Sequence, residues 1–256
     1  MSLLETFIAT QVFAFLIIFA RIGCAMMIMP GISDSVVPMN VRIHIAMVFS
    51  FILIPVVQPL LPEIIPETPV AFTLLIVKEI LTGLFIGLMS QIMMNAMNLV
   101  GALVSHASSL SSAFTFNPQM AAQSSVITGF FSIMIVVMIF VTDLHHLLFL
   151  GFIDSYEVFP TQSELMFGDI VVSMSRSLGD AFRIGLMIGA PFVIVSIAVF
   201  IGMGLVARLV PQIQVFIVSV PVQVMTGLIL LMTSVSAMML YFLGAYEAFW
   251  RDFLTG

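Results

Sequence analysis

Apolar residues run along this chain in long stretches, and the few interruptions mark out its elements. Residues 6–29 form an apolar helical pattern broken by Arg21 and stopped by Pro30-Gly31. A proline-bearing linker follows, and Arg42 opens a second apolar segment that lasts to Val57. Four prolines between Pro59 and Pro69, with Glu63 and Glu67 among them, predict an extended acidic connection. Residues 70–104 would make roughly 50 Å of helix, against a hydrocarbon core of roughly 30 Å, so two pieces or a protruding helix are expected. Residues 126–153 are apolar apart from Asp143, His145 and His146. Over 163–182 the pattern becomes amphipathic, with Phe167, Ile170, Met174, Leu178 and Phe182 opposite Asp169, Ser173, Arg176 and Asp180. The last third reads as a hairpin, 184–207 and 215–242, turning at Arg208 and Pro211 and bent by Pro191 and Pro221. Tyr246, Trp250 and Arg251 near its end suit a membrane interface.

The central interruption, 105–125, is rich in serine and alanine, holds no Lys or Arg, and contains Asn117-Pro118, which disfavours helix. It is expected to be a loop or broken helix. Such backbone is tolerated at membrane depth where protein buries it or where it lines a water-filled space.

Composition agrees with the pattern. Of 256 residues, 61% are hydrophobic and 8% charged, where soluble domains carry roughly 25% charged residues. The class is therefore an all-α integral membrane protein with broken and kinked helices in hairpins. A net charge of −6 without a basic patch gives no footing for nucleic acid. Cys24 is the single cysteine, so no intrachain disulfide or cysteine metal cluster is expected. Phosphate-binding, zinc-protease, nucleophile-elbow and dinucleotide fingerprints are missing, which argues against an ATPase, a hydrolase or any cofactor. A catalytic pairing of His106 with a neighbouring serine lacks an orienting acid.

Several polar residues stand out against the apolar background. Arg21 should face protein or water, since a central arginine costs about 2.5–3.5 kcal/mol in a span, unless it snorkels to the interface. Lys78 and Glu79 diverge by about 100° on a helix and should each meet a partner elsewhere. Gly83 and Gly87 form a GxxxG spacing that lets another helix come close. Gln91, Asn95 and Asn98 form a polar stripe facing protein or water. Asp143 and His146 share a helical face, but no third ligand is evident, so a structural role is expected and no metal. Two functions stay open: a transporter binding a small solute at its broken centre, or a subunit of a larger channel or translocation assembly. Neither paired repeats nor clear midplane charges are present, which favours the second.

Four stretches, in order and over nearly the whole chain, carry a resemblance: FARIGCAMMIMPGISDSVVPMNVRIHIA, IVKEILTGLFIGLM, the small-residue interruption ending in NPQMAAQ, and GLVARLVPQIQVFIVSVPVQVMTGL. Together they resemble the FliR family of flagellar export-gate proteins, related to the T-type export-apparatus subunits of type III secretion systems. Many relatives carry an acidic residue before the proline of the central stretch. This chain has Asn117 there, so no carboxylate role is carried over to it.

The resemblance implies a non-enzymatic subunit of the flagellar type III export gate in the bacterial inner membrane, at the flagellar basal body. Its partners would be FliP-type, FliQ-type and FlhB-type subunits, membrane lipid, and the unfolded flagellar proteins that are exported. It also implies a FliP-like part, 1–182, fused to a FliQ-like hairpin, 183–256. The central loop would act as a plug formed by His106, Ser108, Ser109, Ser111, Ser112, Phe114, Phe116 and Asn117, the two phenylalanines blocking. Met26, Met27 and Met29 are gasket candidates. Arg21, Lys78, Glu79, Gly83, Gly87, Arg208, Pro211, Gln212 and Gln214 are candidate subunit contacts.

Overall fold

The computed structural model describes residues 3–33, 37–62, 65–66, 68–109, 126–163, 166–210 and 215–255. Every regular element among them is helical: α1 (Leu3–Ile28), α2 (Met39–Val57), α3 (Pro69–Ala107), α4 (Val126–Val141), α5 (His145–Val158), α6 (Phe167–Leu209) and α7 (Val215–Thr255), with a single 3₁₀ turn at Gln58–Leu60. α1, α2, α3, α6 and α7 are long and apolar enough to cross a membrane, and α4 and α5 qualify when taken together as one broken span.

α3 is one continuous helix of 39 residues, or about 58 Å at the standard rise. It therefore outruns the bilayer without dividing. α6 and α7, at 43 and 41 residues, are longer still, and Pro191 and Pro221 lie inside them without ending them. The separate amphipathic helix expected over 163–182 is the first part of α6, which runs unbroken through 182–183. No proline stands at that junction, and apolar residues keep recurring across it. The expected division at 182/183 thus falls within a helix. Conversely, the run expected over 126–153 is broken at 142–144, where Asp143 takes a left-handed φ of 59°. Aspartate tolerates that conformation better than most residues, and the Asp143 carbonyl accepts the His146 N–H at 3.0 Å as α5 begins.

The chain packs as two compact units. One comprises 1–92, 142–177 and 248–256, and the other 93–141 and 178–247. In the first, buried side chains come from α1 (Ile17, Ile18, Ile22, Met26), α3 (Phe85, Ile86, Met89), α5 (Leu148, Phe152) and the end of α7. Trp250, expected at a membrane interface, is buried there and packs edge-on against Phe253 at 5.5 Å; Tyr246, expected at the same interface, is buried in the second unit. In the second unit, the α3 methionines Met93 and Met97 are buried, as are Phe131 and Ile135 of α4, Phe192 of α6 and Phe242 of α7. Here Asn98 of the polar stripe ties α3 to α4. Asn98 donates to the Asn95 side chain at 2.9 Å and accepts from Ser132 of α4 at 2.8 Å.

Close approach in the first unit is set by α3 glycines. A Cβ placed on Gly83 would collide with the backbone carbonyl of Arg21, and one on Gly87 would lie 2.9 Å from the carbonyl oxygen of Ala25. Backbone cannot swing aside as a side chain can, so α1 and α3 touch along this face through the absence of two methyl groups. Gly179 has nothing within 4 Å of its Cβ position. Gly83→Ala should therefore cost about 1–3 kcal/mol, while Gly179→Ala should be neutral or stabilising by up to about 1 kcal/mol. Unfolding of the detergent-solubilised chain checks both, and equal effects would remove the close-approach argument.

Candidate functional site

In each unit a buried polar constellation interrupts the apolar packing. The first is centred on Arg21, which lies about two turns before the end of α1 and is 1% exposed. Its guanidinium meets the Glu79 carboxylate of α3 with two parallel bonds, Nε to Oε2 at 2.6 Å and Nη2 to Oε1 at 3.0 Å. Glu79 is 0% exposed. The glycine contact makes this pair geometrically available, because Glu79 sits one turn before Gly83 on the face that α1 approaches. The remaining donors go to the C-terminal end of α5. Nη1 donates to the Ser155 carbonyl at 2.7 Å and the Ser155 hydroxyl at 3.3 Å, and Nη2 donates to the Phe159 carbonyl at 2.8 Å. The Tyr156 ring covers the guanidinium at 3.8 Å, a cation–π contact that is stronger for being desolvated.

Lys78 completes the arrangement. Its ammonium donates to the carbonyls of Pro160 at 2.9 Å and Thr161 at 2.7 Å, and to that of Ser163. The last carbonyls of a helix lack intrahelical partners, and the helix end carries partial negative charge. Two cations, one from α1 and one from α3, therefore satisfy the end of α5 and the turn beyond it. Adjacent in sequence and pointing apart, Lys78 and Glu79 serve different neighbours. Lys78 goes to the turn after α5 and Glu79 to α1. Arg21, Glu79, Gly83 and Gly87 all lie within the chain's own packing, so their polar atoms and small faces are taken up internally. Met26 and Met29 are buried as well, and Met27 is half-buried.

The second constellation holds the base of the central stretch. α3 ends at Ala107, and the chain leaves it through Ser108 and Ser109, the latter with a left-handed φ of 53°. The Ser108 hydroxyl donates to the Val104 carbonyl at 2.6 Å. Ser109 donates to the side-chain oxygen of Gln223 on α7, and both residues are buried. A Cβ on Gly227, one turn beyond Gln223, would run into Ser108. Small residues on both helices thus let α7 press against the end of α3. Ser105 is buried and His106 exposed. Ser111, Ser112, Phe114, Phe116 and Asn117 lie outside the described residues, as do Pro211, Gln212 and Gln214. Arg208, at the end of α6, is exposed.

Tyr156, Ser155, Gln223 and Gly227 were not singled out in the sequence. Gln223 had a signal, since an amide inside an apolar span is expensive unless it finds a partner. Ser155 and Tyr156 act through a backbone carbonyl and a ring face, neither of which leaves a distinctive residue pattern.

The model of a family described as bacterial export proteins, family 1, matches residues 12–249. Among curated proteins, the flagellar biosynthetic protein FliR of Caulobacter vibrioides is 32% identical over 239 residues, covering 93% of this chain and 95% of its own length. The protein of the same name from Bacillus subtilis is 30% identical over 226 residues, covering 87% and 86%. That of Aquifex aeolicus is 24% identical, covering 93% and 91%.

The buried ion pair makes a prediction that a surface pair would not. Arg21→Met leaves a carboxylate without its partner in an apolar interior and should cost about 3–5 kcal/mol. Combining Arg21→Met with Glu79→Leu should restore part of that loss. Unfolding of the three purified variants measures the coupling, and strictly additive losses would show that the two side chains do not act as a pair.

Proposed function

Because the chain belongs to the family of bacterial export proteins, family 1, we propose that it forms, with FliP-type and FliQ-type subunits, the channel through which unfolded flagellar proteins leave the cytoplasm. It is a membrane-embedded component of a flagellar export apparatus. The match over residues 12–249 carries the reading. We place the assembly in the bacterial inner membrane at the flagellar basal body, in contact with an FlhB-type subunit. In this reading the chain has no catalytic step of its own, and energy enters from elsewhere in the apparatus.

The apolar helices support a role within an assembly. Ile194, Ile197, Phe200, Ile201 and Leu205 of α6 and Met225, Ile229 and Met232 of α7 are all exposed in the single chain. We assign part of this surface to partner subunits and the rest to lipid, with Arg208, Gln212 and Gln214 at subunit contacts. In this reading a FliP-like part over 1–182 and a FliQ-like hairpin over 183–256 are joined through the continuous α6.

The central loop is the proposed gate. Ser108 and Ser109 hold its first residues against α7, so the loop leaves a fixed point. From there Ser111, Ser112, Phe114, Phe116 and Asn117 would occupy the pore until a substrate displaces them. Small side chains suit a seal, because backbone can pack closely and few rotamers must be ordered in each closing event. Met27 would add a compliant apolar contact.

Removing residues 111–116 leaves the Ser108–Ser109 anchor in place and should make the assembled gate leak ions. Conductance across bilayers containing the purified complex reads this, and unchanged conductance in a correctly assembled complex would sink the plug assignment. Arg208→Ala should reduce co-purification with FliP-type and FliQ-type subunits, and full recovery of the complex would remove Arg208 from the contact surface. A lone chain that moved a small solute into liposomes would favour a transporter instead.

A further inference from the structure

We propose that Asp143, His145 and His146 bind a divalent transition metal of the Zn²⁺ class, at the break between α4 and α5. On a regular helix, adjacent histidines diverge by about 100°, and the sequence accordingly offered Asp143 and His146 without a third donor. The break changes this. With Asp143 in the left-handed region, the chain turns within three residues, and the His145 and His146 rings come to 4.2 Å between centroids. One donor atom from each of Asp143, His145 and His146 lies within 4.8 Å of the other two. Donors around a tetrahedral zinc with bonds of about 2.0–2.1 Å are roughly 3.3 Å apart, so small rotations of the exposed Asp143 and His146 side chains toward His145 close the site.

The donor set selects the ion. Two imidazole nitrogens and one carboxylate oxygen suit Zn²⁺, Co²⁺, Ni²⁺ or Cu²⁺, whereas Mg²⁺ and Ca²⁺ prefer oxygen shells. Three protein ligands leave a fourth position for water, as in open zinc sites. Access is direct, because the side chains of His146 and Asp143 are 66% and 77% exposed.

The three donors are also partly preorganised. His145 is half-buried, with its ring edge-on to Phe149 at 6.0 Å, and Phe149 packs in turn on Phe49 of α2 at 4.8 Å. His146 Nδ1 lies 3.1 Å from the Asp143 carbonyl and 3.8 Å from its carboxylate. One ligand is therefore held by aromatic packing, and the other two belong to one hydrogen-bonded turn. Histidines at a helix N-terminus gain nothing from the helix dipole, which disfavours cations there. The Asp143 carboxylate supplies the negative charge that offsets it. A metal bound here would staple the turn that starts α5.

The test uses the full chain in detergent, purified without a polyhistidine tag. Isothermal titration with Zn²⁺ should show one ion per chain, with no comparable binding of Mg²⁺. Asp143→Asn, His145→Gln and His146→Gln should each weaken binding at least about tenfold, since even outer partners of metal ligands are worth that much. His44→Gln should leave binding unchanged. Zn²⁺ should also raise the unfolding temperature of the wild-type chain, a readout that needs no variant to fold. No Zn²⁺ uptake by the wild type, an unchanged isotherm in the doubly substituted His145→Gln/His146→Gln chain, or no rise in unfolding temperature would each overturn the proposal.

Discussion

A guanidinium buried among apolar helices must find an acceptor for each of its donors, and the packing around Arg21 is organised by that requirement. An isolated ion in a medium of low dielectric is too costly to keep. The neighbouring structure supplies a carboxylate from α3, two carbonyls from the end of α5, and an aromatic face. Each partner constrains an element. Glu79 fixes the register of α3 against α1, which requires glycine at position 83 where the backbones touch. The α5 carbonyls fix where that helix ends. Lys78 extends the same logic by one residue, taking the carbonyls of the following turn. Removing one member leaves the others with unmatched charge or unmatched carbonyls, so the group behaves as a unit.

The long helices were legible because an apolar run beyond about 18 residues in a chain this poor in charge has few alternatives to a membrane helix. Their boundaries were less so. Asp143 sits in a run that hydropathy treats as continuous, yet its backbone conformation ends one helix and starts another. Phe182 and Arg183 sit where the polarity pattern changes, but the backbone has no reason to stop, and α6 continues. Polarity reports which side of a helix meets which environment, whereas termination depends on local backbone preference. The two signals part company at both places.

The candidate site was legible to the extent that polar residues in apolar spans announce themselves. Arg21 and Glu79 were visible as anomalies, although their mutual pairing across 58 residues was not. Gln223 stands two residues after Pro221 in an apolar run, and its contact with Ser109 is a tertiary fact that neither residue encodes alone. In the sequence the serines at 108 and 109 are indistinguishable from the rest of the serine-rich stretch. The structure makes them its anchor, buried against α7.

The long separation between Arg21 and its partners has a consequence during synthesis. Glu79 lies 58 residues after Arg21, and Ser155 lies 134 after it. At about 5–20 residues per second, α1 waits several seconds for its counter-ion and longer for the α5 carbonyls. Throughout that interval a charged side chain is held in an apolar helix at a cost of up to about 2.5–3.5 kcal/mol, the figure for a helix centre. The isoleucines, leucines and phenylalanines of α1 contribute roughly −0.3 to −0.6 kcal/mol apiece on the same scale, which is enough to carry it in. The apolar density of α1 is therefore a kinetic necessity as well as a packing one. It keeps the first helix in the membrane until the rest of the chain arrives to neutralise it.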